Sequence, residues 1–127
     1  MRLAITKWLV MAFVAFVFGI FVWDEVSEQR GRAQGFADAQ RDLGKGQIGL
    51  TGLGKPMYWS ADHKKLLADR YNVEYEHVAG CVASPYQHGY IFSYNETMKP
   101  ALDKRSIDFD RLYSEAKSLA EARIHAH

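Results

Sequence analysis

Residues Trp8 to Val22 read WLVMAFVAFVFGIFV, a run without a charged or strongly polar side chain. Leu3 to Thr6 extend it upstream, and Lys7 can snorkel its ammonium toward lipid headgroups. Together they make about 20 residues, the length a helix needs to cross a hydrocarbon core of ~30 Å. Trp8 and Trp23 bracket the run. On a helix they stand roughly 22 Å apart, which suits indoles placed in the two interfacial belts. Length, apolarity and aromatic flanks agree, and the reading is a transmembrane anchor over residues 1–23 with Trp8 and Trp23 at the membrane interfaces.

A cleaved signal peptide would need small residues soon after the apolar run. Asp24-Glu25-Val26-Ser27-Glu28 follows instead, so the segment reads as a retained signal-anchor. Arg2, Lys7 and the α-amino group lie before the span, whereas Asp24, Glu25 and Glu28 open the other side. The bias of basic residues places the N-terminus in the cytoplasm and the remainder outside the inner (plasma) membrane, in a periplasmic position for a bacterium. No ionisable residue lies between Trp8 and Trp23, which excludes a proton relay or an ion path within the span. Ala12, Ala15 and Gly19 share one face there. Small residues at this spacing let a second helix approach closely.

Beyond the span, the helical pattern continues. Val26, Ala33, Phe36, Ala37 and Leu43 fall near one face up to the stop at Gly44 and Gly46. Residues 24–45 are expected to form an exposed stalk. Gly31 and Gly35 each cost a solitary helix about 1 kcal/mol against alanine, so another protein packed on them is expected. Residues 46–127 follow as a small domain. A short strand is expected within Gln47 to Leu53, and a helix from Ser60, as N-cap, to Tyr71, with Asn72 ending it. Val73 to Ala79 alternates as a strand should. Ser84-Pro85-Tyr86-Gln87 forms a capping box with proline at the first helical position, opening a helix that Pro100 is expected to kink or end. A last helix starts near Ser106 or Asp108, its apolar residues Phe109, Leu112, Ala116 and Ala120 at helical spacing. The fold class expected is α+β and mainly helical: an anchor continuing into a stalk, then a two-stranded sheet covered by about three helices.

Chemistry is sparse. Sixteen basic and fifteen acidic residues leave a net charge of +1, which gives no field for a nucleic acid. Cys81 is the single cysteine, so neither an intrachain disulfide nor a multi-thiolate metal site can form. Its neighbours Val78, Ala79 and Val82 place it in the interior. Val78-Ala79-Gly80-Cys81 resembles a lipobox, but Glu74-Tyr75-Glu76-His77 precedes it where a signal-peptide core would stand. His77 reads as a core imidazole, and His125 with His127 as a tail too sparse for a metal. A Cys81–His77 or Cys81–His88 nucleophile lacks an orienting third group. Asn95-Glu96-Thr97 has the form of a glycosylation sequon. P-loop and zinc spacings are absent.

Tyrosine and tryptophan are abundant for so small a domain, and Trp59, Tyr86, Tyr90 and Tyr94 are expected to contribute an aromatic interaction surface. The expected function is that of a non-catalytic, single-pass accessory subunit, without cofactor. Its partners would be the bilayer and either a larger membrane complex or its own span, packed through Ala12, Ala15, Gly19, Gly31 and Gly35. A membrane-tethered module that grips a cell-wall or small-molecule ligand with its tyrosines is the alternative, and a Cys/His enzyme comes third.

Overall fold

The computed structural model describes residues 2–126, with side chains from Thr6 onward. The element order is α1 (Arg2–Gly44), β1 (Ile48–Leu53), α2 (Ser60–Tyr71), β2 (Val73–Ala79), α3 (Pro85–Asp103) and α4 (Phe109–His125). The chain is mainly helical with one small sheet, and its N-terminal helix is long and apolar enough to cross a membrane. Within α1 the indoles of Trp8 and Trp23 stand 74% and 70% exposed. Anchor and stalk are one unbroken helix.

β1 and β2 pair in parallel, Ile48 beside Val73 and Leu50 beside Tyr75. Parallel strands need a crossover, and α2 supplies it. Ile48, Leu50, Val73 and Tyr75 form one face of the sheet, against which α2 lays Leu67. The other face, Gly49 and Thr51, meets α1 and α3. α4 packs outside α2. The layers therefore run from α1 with α3, through the sheet, to α2 and then α4. Leu67, Val73, Met98 and Leu112 are the largest fully buried side chains.

Local signals account for most boundaries. Ser84 accepts a hydrogen bond from the Gln87 amide while the Gln87 side chain accepts one from the Ser84 amide, so the capping box forms. Asp108 caps α4 through the amide of Arg111. Asn72 ends α2 in the left-handed region, at φ 52°. Two expectations shift. Ser60 is the first residue of α2 rather than its cap, its hydroxyl accepting from the Met57 amide. Pro100 does not end α3, which continues to Asp103 because Met98 and Leu102 on either side are held in the core.

Candidate functional site

The segment expected to be an exposed stalk is half enclosed by its own chain. Gly31 and Gly35 lie against the backbone of α3, where a Cβ at either position would overlap the carbonyl of Tyr86 or Tyr90. Gly89 answers from α3, sitting as tightly against Glu28 and Arg32. Three glycines thus let two helix backbones touch. Gly31 meets Tyr86, Gly35 meets Tyr90, and Asp42 meets Tyr94 further along, so α3 runs in the same direction as α1. The helix-packing partner of Gly31 and Gly35 in this structure is α3.

Above the glycines the crossing is polar. The Tyr90 hydroxyl donates to Asp38 Oδ2 at 3.1 Å, and the Tyr94 hydroxyl to Asp42 Oδ2 at 2.8 Å. Both pairs are spaced four residues apart on their helices, so they stack as successive rungs, the two rings lying nearly parallel with centroids 5.9 Å apart. Burial, the hydrogen bond and the nearby carboxylates push the Tyr90 phenol up to about 12, and the same causes hold Tyr94 still higher. Arg32 lies 4.5 Å from the centre of the Phe92 ring and forms an ion pair with Glu28. A glycine at position 49 leaves the room that the Tyr94 ring fills.

Asn95 follows Tyr94 directly on α3. Its side-chain oxygen accepts from the amide and hydroxyl of Thr51, and its amide donates to the Thr51 carbonyl at 2.7 Å. It satisfies the outer edge of β1 as a third strand would. The sequon residue therefore has its amide committed to the sheet.

The tyrosines and tryptophan expected to share a surface are dispersed. Tyr94 is core at 6% exposure, Tyr90 is half-buried beside it, and Tyr86 is exposed at the start of α3. Trp59 lies across the sheet, edge-on to Tyr113 of α4 at 4.7 Å and to His63 of α2 at 5.7 Å. His63 also meets Tyr75 edge-on, and desolvation lowers its pKa. His77 lies against Tyr75. Cys81 is exposed, contrary to expectation, because β2 ends at Ala79 and the chain leaves the core before reaching it. His125 is exposed on the last turn of α4, and His127 lies outside the described residues. Among the described residues, no group of three His, Cys, Asp or Glu side chains is placed to hold a metal ion.

In the span, Ala12, Ala15 and Gly19 are exposed, and nothing lies within 4 Å of where a Gly19 Cβ would be. A cavity of ≈ 520 Å³ opens where the sheet meets both helix layers, lined among others by Asp42, Lys64, Glu74, Glu76 and Tyr94. Asp38, Asp42 and Asn95 escaped sequence reasoning. The one available signal was the matching four-residue spacing of Asp38 and Asp42 with Tyr90 and Tyr94. No family model matches this chain, and comparison with curated proteins and with solved structures returns no significant match.

Proposed function

We propose that this protein is a non-catalytic accessory subunit, anchored in the inner membrane by one span, that carries its small domain outside the membrane and works by packing on a larger membrane complex. The observation that supports the reading is the continuity of α1. One helix passes from a lipid-compatible stretch directly into the domain, and the Gly31–Gly35–Gly89 crossing clamps it there. Such a joint carries the domain at a set height and orientation above the bilayer, which is of use to a protein that positions another. Of the tyrosines expected to offer a surface to a ligand, Tyr90 and Tyr94 have their hydroxyls committed to Asp38 and Asp42. The basic residues before the span and the carboxylates after it support a cytoplasmic N-terminus.

Affinity purification of the full-length chain from membranes in mild detergent is expected to recover a second protein in constant ratio, migrating with it on a native gel. A single free band at every detergent strength overturns the reading.

A tethered binding module is the second reading, favoured by the cavity between Asp42, Glu74, Glu76 and Tyr94. Its carboxylates would select a small cation such as an amine. Lys64 shares that lining and its charge opposes a bound cation, which ranks the reading second. Titration with spermidine is the test: saturable binding that Glu74→Gln weakens at least tenfold supports it, and heat of dilution alone removes it.

A further inference from the structure

One side of α1 is occupied and the opposite side is bare. Glu28, Gly31, Gly35 and Asp42 face α3 or its tyrosines. About 180° around the helix, at 100° per residue, run two ladders with a step of seven residues. The first is Ala12, Gly19, Val26 and Ala33, and the second is Ala15, Val22, Gln29 and Phe36. Every member is exposed, Val26 at 41% and Phe36 at 53%. Interleaved at three and four residues, the ladders are the a and d positions of a heptad seam sustained over about four heptads.

Charge sets the seam apart where the helix leaves lipid. Eight of the twenty residues from Asp24 to Leu43 are charged. None of those eight is on the seam, whose residues there are Val26, Gln29, Ala33, Phe36 and Gln40. Val26, Ala33 and Phe36 are thus apolar residues exposed to water on the side turned away from the domain, while Gln29 donates to Glu25 beside the seam.

The flanking charges identify the partner. With Val26 at position a, Glu25 is a g residue and Arg30 the e residue five places later. In a parallel pair of identical helices in register, a g residue faces the partner's e residue of the next heptad. Glu25 would thus meet Arg30 of the second copy, twice by symmetry. Both side chains are exposed, and Arg30 makes no ion pair among the described residues. A second copy in the same bilayer has the same orientation and the same depth, as the register requires. Inside lipid the seam narrows to Ala12, Ala15 and Gly19, residues that permit close approach where burial supplies no drive between helices. α3 begins level with Gly31 on the far side and leaves the seam open.

We propose that α1 forms a parallel, in-register homodimer along this face, a coiled coil running from Ala12 in the membrane to Phe36 above it. The inference rests on the helix crossing the bilayer, as the functional reading does, but not on any larger complex.

The experiment uses the full-length chain carrying Cys81→Ser, purified and reconstituted in lipid vesicles at high lipid-to-protein ratio. Single cysteines are introduced as Val26→Cys and Ala33→Cys on the seam. Asp24→Cys and Gln34→Cys, exposed off it, are the controls. Copper-phenanthroline oxidation is expected to dimerise the seam variants at least tenfold faster than the controls. In the Ala33→Cys background, Glu25→Arg and Arg30→Glu should each slow dimerisation at least threefold, and their combination should restore it. Equal rates at all four positions, or no recovery in the charge-swapped double variant, overturn the proposal. If the pure chain fails these tests while still co-purifying with another protein, the seam is wrong and the accessory role stands. A robust dimer that recovers no other protein from membranes upholds the seam and removes the accessory role.

Discussion

At the scale of single residues, the domain depends on positions without bulk and on one amide. Gly35→Ala gains about 1 kcal/mol of helix propensity, yet its Cβ must displace the Tyr90 backbone. Overpacking against backbone typically costs 1–3 kcal/mol and occasionally more, and here two helices must part along their length. A net loss of about 2 kcal/mol is expected, visible as a fall of roughly 10 °C in the domain's melting temperature by circular dichroism. Gly44→Ala, at the end of α1 with open space around it, should not lower that temperature. Asn95→Ala strands the Thr51 amide, carbonyl and hydroxyl at a buried sheet edge. It is expected to cost about 2–3 kcal/mol in urea denaturation. Asn95→Asp, which keeps the acceptor and loses the donor, should cost less.

At the scale of elements, the helices and strands follow signals close in sequence, whereas their faces do not. The capping box at Ser84 and the alternation of Val73 to Ala79 were legible, and the start of α4 was narrowed to Ser106 or Asp108, of which Asp108 is the cap. Ser84→Ala should lower stability by about 1 kcal/mol, the ordinary worth of such a cap, measured on the same melting curve. The orientation of α1 was not legible. Its apolar residues Val26 and Phe36 point outward, and the side carrying Gly31, Gly35, Asp38 and Asp42 packs inward. An amphipathic reading assumes that the apolar side seeks the core. Here close backbone approach and two tyrosine–carboxylate rungs decide the crossing, and both depend on α3, some fifty residues away in the chain. Cys81 failed for a related reason: an apolar neighbourhood in sequence is not one in space once the strand has ended.

At the scale of the whole molecule, titration and topology can be checked together. Tyr90 has its folded pKa raised to about 12 from 10. Between those values the unfolded chain releases the phenolic proton while the folded chain keeps it, so stability falls as pH rises from 10. Tyr90→Phe should lessen that alkaline loss, Tyr94, raised by the same causes, supplying the remainder. His63 is shifted the other way, by desolvation. The unfolded chain takes up a proton below pH 6.5 before the folded one does, so stability also declines on acidification through that range. Washing membranes with alkaline carbonate is expected to weaken the domain without extracting a helix that crosses lipid. The full-length chain is expected to remain in the pellet, as an immunoblot would show. Recovery in the supernatant contradicts a helix crossing the bilayer.

What the amino-acid sequence determined by itself is what depends on neighbours a few residues apart. The lipid-compatible run between Trp8 and Trp23, the element order and the capping box at Ser84 belong to this class, because hydropathy, propensity and capping act over one or two helical turns. Tertiary structure alone decided that Gly31 and Gly35 receive α3, that Tyr90 and Tyr94 reach Asp38 and Asp42, that Asn95 closes the edge of β1, and that one long face of α1 stays bare. The first three are contacts between segments separated by more than forty residues, and the bare face is what they leave over. Which pairs meet is set by the close packing of whole layers, a quantity no local window contains.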